Sequence, residues 1–298
     1  MRTDRSPVVV GIDGSDSATA AALWAVGEAR SRQAPLRLVY AFSGTGAVSS
    51  MAMHGDLALP EIGVLRSAAK TVLDEAASRV AIVAPDVEVS TYAYDGDAAT
   101  ALVDEARDAA TVVLGSRRLG ALGSMLLGSV ATMVTARAEC PIVVVRGAAV
   151  PPEEGSAVIL GVQADENSAT AISYAFDYAS RHAVRLHAVL CWHPDRLAQM
   201  SWRPEQPVPP RVQAWLSEAL AGWREKFPDV EMHAAVTREH PVEGLVAASN
   251  GQCLLVVGTH NRGALAGTLL GSVSQGVLHH ATCPVAVVPP PIVDHPSA

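Results

Sequence analysis

The chain has 298 residues, a 49% apolar content, only 4% aromatic residues and a formal net charge of −8. That length favours two domains, each long enough to bury a core of Val, Ala, Leu and Ile. The acidic balance argues against nucleic acid as a main partner, and no run approaches the ~18–20 apolar residues of a membrane span.

In chain order, the charged start Met1–Ser6 runs into a short Val-rich segment, Val8–Ile12, that reads as a buried strand. It is too short for a secretory leader core and is followed at once by Asp13 and Asp16, so the expected compartment is the cytoplasm. Ser17–Arg32 has helical spacing, with Ser15, Asp16 or Ser17 as candidate caps. Leu36–Ala41 is a second strand, Phe42–Leu59 a loop, and Pro60–Val83 a long helix with Pro in its first turn. Val87–Ala93 alternates partially and reads as a strand. Asp97–Ala109 reads as a helix capped by Asp97, and Thr111–Leu114 as a further strand. A glycine-rich loop, a helix over Ser129–Ala138 and a strand over Pro141–Arg146 complete this half.

The second half repeats the order. Strands are expected over Val158–Val162, Arg185–Cys191, Glu231–Thr237, Leu254–Val257 and Val285–Val288. Helices are expected over Ser168–His182, Pro209–Phe227, Val242–Ser249 and Ser272–His280. The clearest internal match sets GSRRLGALGSMLLGSVATMVTARAECPIVVV, from Gly115, against GTHNRGALAGTLLGSVSQGVLHHATCPVAVV, from Gly258. About half the positions are identical without a gap, so the chain is a duplicated domain rather than a short-period solenoid. The expected division is 1–147, a linker at 148–155 within GAAVPPEEG, and 156–298. Alternating strands and helices imply an α/β fold: two tandem copies of an open five-stranded parallel sheet, Rossmann-like, with right-handed crossovers and helices on both faces.

Ligands of such sheets bind beyond the carboxyl ends of the strands, at the switch point. Two segments of the first copy fall there: Gly11, Ile12, Asp13 and Ser15 in GIDGS, and the loop Gly115–Ser129. A glycine at a helix start exposes backbone amides to an anion, and Gly128 with Ser129 offers that arrangement. Ser129 can cap the helix or donate to a phosphate. Asp13 can accept from a ribose or an adenine amine, help hold a cation, or cap the next helix.

Several chemistries lack their residues. There is no GxxxxGK[ST], no GxSxG and no GxGxxG after the first strand, so phosphate-loop, hydrolase-triad and dinucleotide readings have no anchor. Cys140, Cys191, Cys253 and Cys283 form no CxxC pair and read as buried reduced thiols beside strands. His279 and His280 suit a helix C-terminus. Trp192, Trp202, Trp215 and Trp223 gather in the second copy and read as a core or interface stripe rather than a base-stacking platform.

Taken together, these segments resemble the universal stress protein family, in its tandem form with HUP-type domains, over nearly the whole chain. The nucleotide signature of that family is Gly, two residues, Gly, nine residues, Gly, then Ser or Thr. Gly115, Gly128 and Ser129 match it, with the nine-residue spacing from position 118 kept, and CPIVVV and CPVAVV resemble its closing strands. The resemblance implies an adenine nucleotide, ATP with magnesium near Asp13, as ligand and a non-catalytic role in the stress response. It implies a first site of Gly11, Ile12, Asp13, Ser15, Ala41, Gly115, Ser116, Arg117, Arg118, Gly128, Ser129 and Val130. Of these, Ala41 lies at the adenine wall, and Ser129 and Val130 meet phosphates. The second site takes Gly161, Gln163, Cys191, Gly258, Thr259, Asn261, Gly271, Ser272 and Val273.

The chain departs from the pattern in places. Arg118 and Asn261 stand where the middle glycine belongs, and Gln163 replaces the carboxylate in the second copy. Those departures keep two alternatives open: a partner-binding protein with degenerate sites, and a slow ATPase. The family resemblance also implies an intramolecular pseudo-dimer through Pro141–Arg146 and Pro284–Pro289, and it leaves a homodimer open.

Overall fold

Strand β1, Val8–Gly11, opens with three β-branched valines that are all buried, as a strand covered on both faces requires. A computed structural model describes residues 6–42, 62–116, 128–146, 155–163, 168–192, 208–259 and 270–291. The chain divides into two compact units, Met1–Ala148 and Ala149–Ala298, each taken by itself below.

In the first unit, β1 is followed by helix α1 (Asp16–Arg32) and β2 (Leu36–Phe42). Next come α2 (Ile62–Val83), β3 (Val89–Asp95), α3 (Ala98–Glu105), β4 (Thr111–Gly115), α4 (Ser129–Arg137) and β5 (Ile142–Val145). All neighbours pair in parallel in the order β3-β2-β1-β4-β5. Val8 sits beside both Leu36 and Thr111, so β1 and β4 flank the point where the strand order reverses. Helices α1 and α2 pack on each other, as do α3 and α4.

The second unit repeats this with β6 (Ala157–Val162), α5 (Ser168–His182), β7 (Arg185–Cys191), α6 (Pro210–Lys226) and β8 (Met232–Thr237). It closes with α7 (Pro241–Ala248), β9 (Leu254–Gly258), α8 (Ser272–His280) and β10 (Val285–Val288). Its parallel order is β8-β7-β6-β9-β10. No helix among the described residues is long and apolar enough to cross a membrane.

Small residues set how closely helix and sheet approach. Helix α1 buries Ala18, Ala21, Ala22, Ala25 and Ala29. Its first turn lies so near β4 that a Cβ on Gly115 would meet the Ser17 carbonyl, so only glycine fits there. The helix ends at Gln33, which takes the left-handed conformation usually given to glycine and returns its amide to Ala29 and Arg30.

Some elements differ from the sequence expectation. Helix α3 stops at Glu105, not at position 109, because residues 106–108 turn to deliver the chain into β4. Strand β3 begins at Val89 and reaches Asp95; its burial pattern is that of a half-exposed edge, which weakens any apolar alternation. Inside this edge, Glu105 of α3 is buried and accepts from Arg37 of β2 and from the Tyr94 hydroxyl of β3. That bond and burial push the Tyr94 phenol up to about 12. The expected linker, 148–155, lies outside the described residues except for Gly155, which has positive φ.

Candidate functional site

The carboxyl ends of β1, β2 and β4 and the first turns of α1 and α4 surround one cavity of about 490 Å³. Gly11, Ile12, Asp13, Ser15, Ala41, Gly115, Gly128, Ser129 and Val130 all line it, joined by Tyr40, Leu102 and Ala131. A cavity there follows from topology: adjacent crossovers leave in opposite directions at the β1/β4 boundary and open a crevice. Gly11 is tightly enclosed, since a Cβ on it would lie 2.8 Å from the Leu114 side chain.

The helix starts in this unit are treated differently. Helix α1 is capped by Ser15, whose hydroxyl accepts from the Ala18 amide at 3.2 Å. Helix α3 is capped by Asp97, which accepts from the Thr100 amide at 2.9 Å. Helix α4 has Gly128 as its N-cap and no side-chain cap. Its leading amides therefore have no acceptor within the helix and point, with the helix dipole, toward the cavity end. Ser129 is the first helical residue and not the cap, which corrects one of the two roles expected for its hydroxyl. Gly128 has φ −62 and, among the described residues, open space around a built Cβ, so none of them requires glycine there.

Asp13 is exposed on the cavity side. Its Oδ1 accepts from the Ser15 amide at 3.0 Å and from the Ser15 hydroxyl. The expected alternative of Asp13 as helix cap is thus replaced by a relay: Ser15 caps, and Asp13 holds Ser15. Ser116 departs from the expected set. It is buried, does not line the cavity, and donates its amide to the Val145 carbonyl at 3.0 Å. Arg117 and Arg118 lie outside the described residues, as does Asn261 of the second copy.

The corresponding cavity of the second unit is larger, about 670 Å³. Gly161, Gln163, Cys191, Gly258, Thr259 and Val273 line it, whereas Gly271 and Ser272 are not among its lining residues. Helix α8 again starts at a glycine, Gly271, without a side-chain cap. Gln163 is exposed and its backbone carbonyl accepts from the Ser168 hydroxyl at 2.7 Å. Gly258 differs from Gly115: a Cβ there would find its nearest neighbour, Ala171 Cβ, at 3.7 Å.

Two sequence readings change here. Cys191 is half-buried and lines the cavity, unlike the buried Cys140, Cys253 and Cys283. Burial, with Glu239 nearby, pushes its thiol up to about 11, so it is neutral at pH 7. The tryptophans do not act as one stripe. Trp223 stacks with Phe176 and Phe227 at 6.3 and 6.4 Å, whereas Trp192 and Trp215 line the cavity. Trp202 lies outside the described residues. The lining role of Trp215 was legible only from the i, i+4 spacing of Arg211 and Trp215, which places them on one face of α6.

The donor set of the first cavity fits a polyanion attached to a sugar and a base: helix-end amides with no side-chain cap from Gly128, a carboxylate acceptor and an apolar wall at Ala41. Among the described residues, no group of three or more His, Cys, Asp or Glu is placed to hold a metal ion by itself.

Comparison with known proteins gives a consistent result. The universal stress protein family model matches residues 5–146 and again 156–289. A universal stress protein of Mycobacterium tuberculosis is 35% identical over 296 residues, covering 94% of this chain and 96% of the relative. Another from Mycolicibacterium smegmatis is 34% identical over 297 residues, with 95% and 97% covered. Among solved structures, a universal stress protein from Archaeoglobus fulgidus aligns with TM-score 0.65 at 15% identity, covering 97% of this chain and 99% of that one. That last likeness is one of fold.

Proposed function

The chain belongs to the universal stress protein family, and from that premise we propose that it is an ATP-binding, non-catalytic module of the stress response, acting in the cytoplasm. One observation carries the proposal: the uncapped start of α4 and the Asp13 carboxylate line the same cavity at the β1/β4 switch point. In this reading the amides of Ser129 and Val130 receive phosphate oxygens. Asp13 accepts from the ribose or the adenine amine and stands near a magnesium ion carried with the phosphates, while Ala41 forms part of the base wall.

Bound nucleotide supplies binding free energy and a changed surface at the cavity mouth, which a partner protein reads. Hydrolysis would need a base for water and charge stabilisation of the departing phosphate. Among the described residues lining the first cavity, Asp13 is the one carboxylate, and its Oδ1 already accepts from Ser15 twice. That is why the reading is a binding module rather than an ATPase.

The test is mass spectrometry of the purified protein for retained adenine nucleotide, with thermal unfolding in magnesium ATP. Asp13→Asn keeps an acceptor for Ser15 while removing the charge. It should leave the ligand-free unfolding temperature nearly unchanged and weaken the ATP-dependent rise. A protein that carries no nucleotide and shows no rise at millimolar ATP would refute the proposal.

A further inference from the structure

The two cavities are built on the same strands and helix starts but offer different side chains. In the first, a carboxylate at Asp13 stands at the end of β1. In the second, neutral Gln163 occupies the corresponding strand end, and Trp192, Arg211 and Trp215 are added to the wall. Trp192 follows β7 directly and is held by its amide donating to the Thr237 carbonyl at 2.8 Å. Arg211 and Trp215 come from the first turns of α6, one helical turn apart, so both project from one face into the same space. The second cavity also has the larger volume, about 670 against 490 Å³, which leaves room for a ring beside an indole.

A carboxylate reads hydroxyls and amines; an indole reads flatness. A site that hydrogen-bonds a hydroxyl disfavours the analogue lacking it, because that bond is lost and nothing on the analogue replaces it. Base–aromatic stacking is indifferent to the sugar. Arg211 adds a fixed positive charge suited to an anionic group on the same ligand.

Building on the nucleotide reading above, we infer that the second cavity is a stacking site, with Trp215 and Trp192 as its specificity residues. It holds the base of a purine nucleotide without reading the sugar hydroxyls, whereas the first cavity reads them through Asp13. The two copies thus divide recognition, and a nucleotide altered at the sugar occupies the second cavity and not the first.

The probes are ATP and 2′,3′-dideoxy-ATP, each with magnesium, measured by equilibrium dialysis and by tryptophan emission on the full chain. The Asp13→Ala chain isolates the second cavity, and the Trp215→Leu chain the first. In Asp13→Ala, the two probes should bind within about threefold of each other, with emission changing at the same midpoint. In Trp215→Leu, the dideoxy probe should bind tenfold or more weakly than ATP. Trp215→Phe keeps a flat ring and should hold affinity at the second cavity within about threefold of wild type, which also guards against misfolding of the leucine variant.

Equal loss of the dideoxy probe in both chains would overturn the inference, as would Trp215→Phe binding as weakly as Trp215→Leu. Binding by Trp215→Leu with none by Asp13→Ala would overturn it while leaving the proposed function intact. Binding by Asp13→Ala alone would remove the first-site reading and leave the stacking site standing. Absence of binding in every chain would remove both.

Discussion

The Ser17 backbone occupies the place where a side chain on Gly115 would have to go: a Cβ built there meets the Ser17 carbonyl and comes within 2.8 Å of the Ala18 nitrogen. The equivalent glycine of the other unit, Gly258, has its nearest neighbour at 3.7 Å, in ordinary contact. Among the described residues, one motif position therefore carries a packing demand in the first copy and none in the second. Gly115→Ala should cost about 1–3 kcal/mol, because backbone on both sides must shift. Gly258→Ala should stay within about 0.5 kcal/mol of wild type. Urea denaturation of the two variants measures the difference.

The glycine N-cap of α4 makes a second expectation. With φ −62 and ψ 155, Gly128 already has the extended backbone of an N-cap, and no described residue comes within 4 Å of a built Cβ. An aspartate there can cap the helix as Asp97 caps α3. Gly128→Asp should raise the stability of the ligand-free protein by about 0.5–1 kcal/mol through the cap and the helix dipole. The same carboxylate occupies the amides offered to phosphate and repels it, so first-cavity affinity should fall at least about tenfold. Denaturation without ligand and a binding isotherm with magnesium ATP read the two effects separately.

A third expectation concerns alkali. The Tyr94 phenol, held protonated by its bond to Glu105, has a folded-state pKa of about 12 against an ordinary 10.0. A raised pKa contributes stability that is fully present below pH 10 and is lost as pH climbs through 10 toward 12. Tyr94→Phe should cost about 1–2 kcal/mol at neutral pH, since buried Glu105 loses a donor. It should also flatten this part of the alkaline stability loss. Parallel denaturation series from pH 8 to pH 11 for both proteins check it.

Cysteine reactivity offers a view of the second cavity. Of the four thiols, Cys191 alone is not buried, and its pKa of about 11 leaves very little thiolate at neutral pH. Iodoacetamide should modify Cys191 first, slowly at pH 7.5 and faster toward pH 9. Cys140, Cys253 and Cys283 should react only on unfolding. A ligand in the second cavity should protect Cys191 at least severalfold, read by peptide mass spectrometry.

The strand–helix order and the duplication were legible because short apolar runs and the repeated Gly-Ser and Cys-Pro segments are local signals. Cap identity was less so: Ser15, Asp16 and Ser17 are all chemically able, and only the chain path selects Ser15 and recruits Asp13 to hold it. Serine is a good cap, which makes Ser129 a candidate from sequence, yet the preceding glycine takes the extended backbone conformation of the cap. Ser116 is adjacent to a motif glycine but turns inward, since its amide completes the bond to Val145 in β5. The division of the tryptophans depended on tertiary packing: Trp215 and Trp223 share α6, but one opens on a cavity and the other on Phe176.

The most direct measurement is the number of ATP molecules retained per chain in equilibrium dialysis with magnesium, comparing wild type with Gly128→Asp. The expected result is saturable binding by the wild type and, at an ATP concentration near the wild-type midpoint, fewer molecules per chain in the variant while its fold persists. Wild-type protein that retains no nucleotide at millimolar ATP, or a variant that retains as many molecules per chain at that midpoint concentration, would contradict the role assigned to the open start of α4.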